Sequence, residues 1–527
     1  MEEQINHEVS TSSEKKRDLN KSNALLDWLV PLALIVAVSS FTFFGTSVLD
    51  IQFGEQALKF WNTLLFSDAD SQQAVSNLAE VLIGVLGLTL TVVAIVVQLA
   101  AQRYTPKLVD LFLEDRVNII TFLGMVFSTI FCIWIIYSTR KNYTPVFGNL
   151  VLILLTTVLL TLLIPYFRYV FRFLTPSNII ETIEANLARS VGEAIRKNGR
   201  GNMEKTRSQV ANGLEQVTDI ALSAVTQMDR NVALMSIDTV TRILANYIKE
   251  KPSLHEPWFR PNPSHFISIS SEFLEDIVER RIWVEARGFM DLELLFLQSL
   301  KTMPDAVSAI AANTRQLAIA AIESGDEESA YFCVEYFNTF LRRAVNDRNQ
   351  RAVFSLFYQY RRLVEYMLPT HMRLVEEITR FIHYYGNEAQ RVGMPFLVNV
   401  AAMDICYTLQ RAYDLNITPI DNILEFFLKI AESPDLQEIE FVHKGVRKAH
   451  IILAAYLMLH GKSKKDLKKI QTSLKLEKPA FLRQVRSEIL NVTKRKFWEI
   501  TDRGGLNFEY IEQDMKDSLN SFYEKYL

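Results

Sequence analysis

The sequence predicts an all-α protein: a four-helix transmembrane domain followed by a cytoplasmic α-helical domain of stacked helical hairpins. Two observations carry this. Gly and Pro number only 18 and 15 in 527 residues, roughly half their usual combined share, too few for the tight turns of sandwiches, propellers or collagen-like repeats. Hydrophobic residues reach 49% and mean hydropathy is +0.08, an excess that membrane segments explain.

Four windows of 21 residues carry no charge: 28–48, 81–101, 117–137 and 146–166. At about 1.5 Å per residue each spans roughly 31 Å, the thickness of a hydrocarbon core. Residues 1–27 form a polar tail, and with no A-x-A cleavage site the first span reads as a retained anchor. Lys15, Lys16, Arg17, Lys21, Arg103, Lys107, Arg116, Arg168 and Arg172 flank one side; Lys59, Arg140 and Lys141 flank the other. This asymmetry places both termini in the cytoplasm. The 49–80 loop is then external and acidic, with Asp50, Glu55, Asp68, Asp70 and Glu80 against Lys59.

Span two carries a pattern. Plotted at about 100° per residue, Glu80, Gly84, Gly87, Thr91, Ala94, Gln98 and Gln102 fall within an arc of roughly 80°. Lipid tails do not reward such a stripe, so it should face protein or water. Close helix packing through the small residues is one reading. A pore lining is the other, with Glu80 at the outer mouth and Gln98 and Gln102 at the inner. Four helices seldom enclose an ion path, so a pore implies a homo-oligomer, and the acidic outer side favours cations.

The connection that follows, Arg103 to Arg116, reads as an interfacial helical turn. Thr105 is its expected cap, Pro106 its first residue, and Leu108, Leu111 and Phe112 its apolar side. Arg103, Thr105, Pro106, Lys107, Asp115 and Arg116 are the candidates for coupling membrane to cytoplasm, against the simpler reading of an amphipathic connector.

These residues also resemble a known family. Ser67-Asp-Ala-Asp70, Val97-Gln-Leu-Ala-Ala-Gln-Arg-Tyr-Thr-Pro-Lys-Leu108 and Phe112-Leu-Glu-Asp-Arg116 are similar to the hallmark of the bacterial membrane family called domain of unknown function 2254. The resemblance covers about residues 60–175, with a weaker echo at about 215–300 around Thr218-Asp-Ile-Ala-Leu-Ser-Ala224 and Ile237-Asp-Thr239. Thr105, Lys107 and Ser223 depart from the family's usual Ser, Arg and Arg. The resemblance implies a multi-pass protein of the bacterial inner membrane with a cytoplasmic domain, and no reaction or ligand.

Residues 173–202 read as a connecting helix and linker, with Ile180, Ile183, Leu187, Val191 and Ile195 on one face and a break at Gly199 and Gly201. From 203 to 527, helices of 15–20 residues alternate with polar turns such as Gly325-Asp-Glu-Glu328 and Asn346-Asp-Arg-Asn349. This is the texture of a helical-hairpin array without a fixed repeat. Phe332, Tyr336 and Phe340 read as core, and the lysines of 462–469 as a solvated helix start, with attraction to anionic lipid as the alternative.

A net charge of −3 leaves no footprint for nucleic acid. Cys132, Cys333 and Cys406 form no C-x-x-C pair, and His443 and His450 stand too far apart to share a metal. No H-E-x-x-H, Walker, G-x-S-x-G or G-x-G-x-x-G motif occurs. The expectation is therefore a non-enzyme without catalytic residues, metal or cofactor. Two functional readings stand: an oligomeric channel or transport-type protein regulated by its helical domain, or a membrane-anchored scaffold or sensor that binds a cytoplasmic protein.

Overall fold

The computed structural model describes residues 33–54, 71–139, 145–197, 202–266, 269–417, 420–433, 438–496 and 507–527. The chain divides into two compact units, Met1–Ile179 and Ile180–Leu527. The described residues are helical, joined by turns and short 3-10 segments.

In the first unit the elements are α1 (Ala33–Gly54), α2 (Ser71–Arg103), α3 (Leu108–Leu113), α4 (Arg116–Ser138) and α5 (Val146–Phe173). All but α3 are long and apolar enough to cross a membrane. Val75, Ala79 and Leu82 of α2 bury against Phe131, Cys132 and Ile135 of α4 and Leu152 of α5. Phe43 of α1 packs on Trp134 with ring centroids 5.4 Å apart. α4 and α5 approach closely at Gly148, where a Cβ would come within 2.5 Å of Ile135 Cδ1.

Two expectations about the external loop need correction. Asp50 is not a loop residue: it lies inside α1, 6% exposed, where its Oδ1 accepts the Phe147 amide at 2.9 Å. Pro145, the N-cap of α5, has no side chain that can cap, so Asp50 supplies the missing acceptor to a helix end that attracts negative charge. Glu80 is not at a loop end either, because α2 begins at Ser71. Glu55, Lys59, Asp68, Asp70, Arg140, Lys141, Gly199 and Gly201 lie outside the described residues.

The second unit holds most of α6 (Pro176–Lys197), then α7 (Met203–Thr226), α8 (Arg230–Glu250), α9 (Ser271–Glu279), α10 (Trp283–Thr302), α11 (Pro304–Glu323), α12 (Glu327–Asn346), α13 (Gln350–Met367), α14 (Met372–Arg391), α15 (Phe396–Asp414) and α16 (Asp421–Lys429). It ends with α17 (Glu440–Leu459), α18 (Lys464–Leu474), α19 (Pro479–Asn491) and α20 (Gln513–Tyr526). Hairpin partners pack as α7/α8, α10/α11, α12/α13 and α14/α15. Across hairpins, α7, α10, α12, α14 and α16 adjoin in one layer, and α8, α11, α13, α15 and α17 in a second.

The turns share one device. Met228, Arg281, Gly325, Arg348, Gly393, Asn416 and Gly461 all take φ between 53° and 92°, and the next residue's amide reaches back to a carbonyl in the helix's last turn, as in Asp229 N to Ala224 O at 2.8 Å and Asp326 N to Ala321 O at 2.9 Å. Where that next residue is Asp229, Asp326 or Asn349, its side chain also caps the following helix. One residue ends a helix and the next starts its partner.

Lys251 joins three hairpins. Its Nζ lies 2.8 Å from Glu285, 2.7 Å from Asp326 and 2.9 Å from Ser329 Oγ. Burial opposes its charge, but the two carboxylates outweigh burial and hold the ammonium above its usual range. Burial likewise pushes Asp326 up, and Lys251 with Ser329 pulls it below the ordinary carboxylate value.

Candidate functional site

The second span decides where its own stripe points. Val75, Ala79, Leu82, Val93, Val97 and Ala101 are the buried face of α2, and at about 100° per residue the stripe is centred roughly 120° away from it. Glu80, Gly84, Gly87, Thr91, Ala94, Gln98 and Gln102 are all exposed. A Cβ added at Gly84 or Gly87 meets nothing within 4 Å. Close packing inside the chain, one of the two readings of the stripe, therefore has no partner helix among the described residues. The Thr91 hydroxyl donates to Gly87 O at 2.8 Å, which satisfies it without a neighbour.

At its C-terminal half the stripe meets the connector. Ala94, Gln98 and Gln102 line one wall of a mainly apolar groove of about 390 Å³, with Pro106 and Phe112 at its end and Phe122 of α4 opposite. Glu80, Gly84, Gly87 and Thr91 lie outside it. Leu108 and Phe112, at 0% and 3% exposure, pin α3 down, and Phe112 stacks edge-on against Phe173 at 5.8 Å.

The connector corrects one detail of capping. Thr105 does not cap with its side chain: its hydroxyl is buried without a hydrogen-bond partner, and its carbonyl instead accepts the Leu108 amide at 3.1 Å. The helix accordingly starts at Leu108, two residues after Pro106. Asp115 is the working cap, accepting from Val117 N and Asn118 N of α4 at 3.1 Å each. Arg103 lies over the Tyr104 ring at 5.2 Å, and Arg116 opens α4.

The geometry of stripe, groove and connector falls within one matched region. Residues 27–211 match the family described as predicted membrane protein (DUF2254). The DUF2254 match takes in the four apolar helices, the stripe and the connector. It extends the resemblance beyond 60–175 in both directions and ends before the echo at 215–300. No curated protein matches. Among solved structures, a circular tandem repeat protein with novel repeat topology and enhanced subunit contact surfaces is similar at 16% identity and a TM-score of 0.30, over 61% of this chain and 80% of that one.

In the helical array, Phe332, Tyr336 and Phe340 are buried core. Lys465 and Lys469 pair with Asp421, Lys469 at 2.5 Å, so part of the lysine run is answered by its own fold. His443 bonds Glu477 at 2.9 Å and His450 bonds Phe427 O at 3.0 Å. Arg447 lies between them, 1% exposed, with its guanidinium on Glu477 and Ser473. Among the described residues no group of three or more His, Cys, Asp or Glu side chains is placed to hold a metal. The three cysteines are buried thiols.

Sequence reasoning missed Asp50 as a helix cap and Lys251 as a hub. Their signals were faint: a lone carboxylate at the end of an apolar run, and a lysine followed by Pro252 after a helical pattern.

Proposed function

We propose that this membrane protein is an oligomeric channel or transport-type protein of the bacterial inner membrane, cation-leaning, with both termini in the cytoplasm and regulated by its helical domain. The observation that carries this reading is the exposed stripe on α2, with Gly84 and Gly87 open to a second backbone. Small residues admit a close neighbour, and glutamine side chains in lipid are stabilised by hydrogen bonds from another helix or by water. With no partner among the described residues, further copies supply one. Around a common axis the stripes line a polar path with Glu80 at one end and Gln98 and Gln102 at the other. Asp50 is not part of the stripe: it is buried against the first turn of α5. The connector, attached to the groove at Pro106 and Phe112, is the element through which the helical domain acts. No chemistry is assigned to the array, so the reading is non-enzymatic.

Purified full-length protein in planar bilayers tests this. Cation conductance that falls in Glu80→Gln supports it; silence across voltage and pH counts heavily against it.

A second reading, a scaffold or sensor that binds a cytoplasmic protein, is favoured by the two-layer array, an architecture that presents extended faces to partners. Stable capture of one specific protein by residues 203–527 would support it.

A further inference from the structure

An opening in the second unit lies where the C-terminal segment crosses the layer of α13, α15 and α17. Tyr407 of α15 donates its hydroxyl to Phe508 O at 2.8 Å, the Phe508 ring stands edge-on to Phe396 at 5.5 Å, and Lys448 of α17 bonds Glu509 at 2.9 Å. These contacts hold the segment across the helices and leave a cavity of about 510 Å³ beneath it. That volume is in the range of small-molecule sites, roughly 300–1,000 Å³.

The walls restrict what fits. Arg361 lies over the Tyr358 and Tyr407 rings, 5.5 and 5.4 Å from their centroids. Its Nε stands 3.0 Å from the buried Asp404, and a second nitrogen pairs with Glu365. Its charge is thereby answered, and what it adds to the wall is a flat cationic surface between aromatic faces, not a hook for an anion. At the rim, Arg495 stands opposite Glu512 at 3.7 Å. The lining holds no single-sign charge cluster, which disfavours polyanions. Gln410 and Asn507 each bring an amide; Gln410 Nε2 donates to Cys406 Sγ at 3.4 Å and Asn507 Oδ1 accepts the Glu509 amide at 3.0 Å, so Gln410 Oε1 and Asn507 Nδ2 are the ends that a ligand's polar edge would meet and an acyl chain would not. Stacking surfaces with one amide on each wall match a flat ring system with donors and acceptors on its edge.

We propose that this cavity binds a planar heteroaromatic small molecule of the nucleobase type, stacked between the Tyr358–Arg361–Tyr407 wall and the C-terminal segment, with its polar edge read by Gln410 and Asn507. The site is independent of the pore reading and stands or falls without it.

The test titrates adenosine, guanosine, cytidine and uridine calorimetrically into full-length protein in detergent. The expected result is that at least one binds with Kd below about 100 µM, and that Gln410→Leu weakens it tenfold or more while the melting temperature stays at the wild-type value. Gln410→Asn, which keeps the amide, retains more of the affinity than Gln410→Leu and guards against a variant that merely unfolds. Two results overturn the proposal: no heat of binding from any of the four at about 1 mM, or an affinity left unchanged by Gln410→Leu.

Discussion

Asp50 and Phe147, 97 positions apart, are joined by one hydrogen bond from the Phe147 amide to the Asp50 carboxylate, 2.9 Å long and sheltered from solvent. It ties the C-terminal part of α1 to the first turn of α5. A carboxylate that answers orphan amides at a helix start is worth about 1–3 kcal/mol. Asp50→Ala should lower the thermal unfolding temperature in detergent, and Asp50→Asn, which keeps an acceptor oxygen, should lose about half as much. Equal losses would mean that the negative charge, and not the hydrogen bond, holds the contact.

Lys251 is a buried cation between Glu285 and Asp326. Lys251→Met removes the charge and leaves two carboxylates facing each other, a loss of about 3–5 kcal/mol, and a second substitution, Glu285→Gln, should recover part of it. The pH dependence follows from the shifts. Asp326 is held below its ordinary 3.8, so its contribution is full above that value and disappears as pH falls through its lower folded value. Lys251 is held above 10.5, so its contribution is full below 10.5 and is lost as pH rises through the folded value. Chemical unfolding of wild type and Lys251→Met at pH 3, 7 and 11 checks both limbs.

His450 is fully buried on the Phe427 carbonyl, and burial together with Arg447 depresses its pKa from 6.5 to about 3. The folded chain stays neutral there while the unfolded chain takes up a proton below 6.5. Stability should therefore fall on acidification through this window, at a slope of up to about 1.4 kcal/mol per pH unit from this side chain. His450→Gln keeps a donor for Phe427 O and should flatten the slope by that amount between pH 6 and 4. An unchanged slope would place the acid sensitivity elsewhere.

Gly445 in α17 lies against the buried Asn399 side chain of α15, and a Cβ there would collide with the amide group. Gly445→Ala should destabilise the array by about 1–3 kcal/mol, measured by urea unfolding. Gly445→Ala combined with Asn399→Ala should relieve the clash and recover part of that loss.

The apolar runs made the four long helices legible, because twenty charge-free residues have few other uses and the period of the stripe on α2 survives in the fold. The layers of the array were harder to read. Met228, Arg281 and Arg348 carry three of the seven left-handed turns among the described residues, and none of these residue types announces a positive φ, a conformation usually left to glycine at a saving of about 1–2 kcal/mol. The hairpin packing around them outweighs that strain, so the scarcity of glycine concealed regular turns instead of excluding them. Asp50 was misplaced because a carboxylate reads as the end of a span unless its distant partner is known, and Thr105 because a threonine before proline looks like a cap whether or not its hydroxyl reaches an amide. The cavity beneath residues 507–512 depends on contacts across about 100 positions, such as Tyr407 with Phe508, which no local pattern encodes.

The central claim is that further copies of the chain meet along the stripe of α2. Cysteine substitution in native membranes tests it, since a disulfide forms only where Cα atoms approach within about 7 Å. Gly87→Cys lies on the stripe; Leu99→Cys, at a position 60% exposed, lies on another face of the same helix. The account predicts oxidised dimers and higher species from Gly87→Cys and monomer from Leu99→Cys. Monomer from Gly87→Cys, or equal crosslinking at both positions, would contradict it.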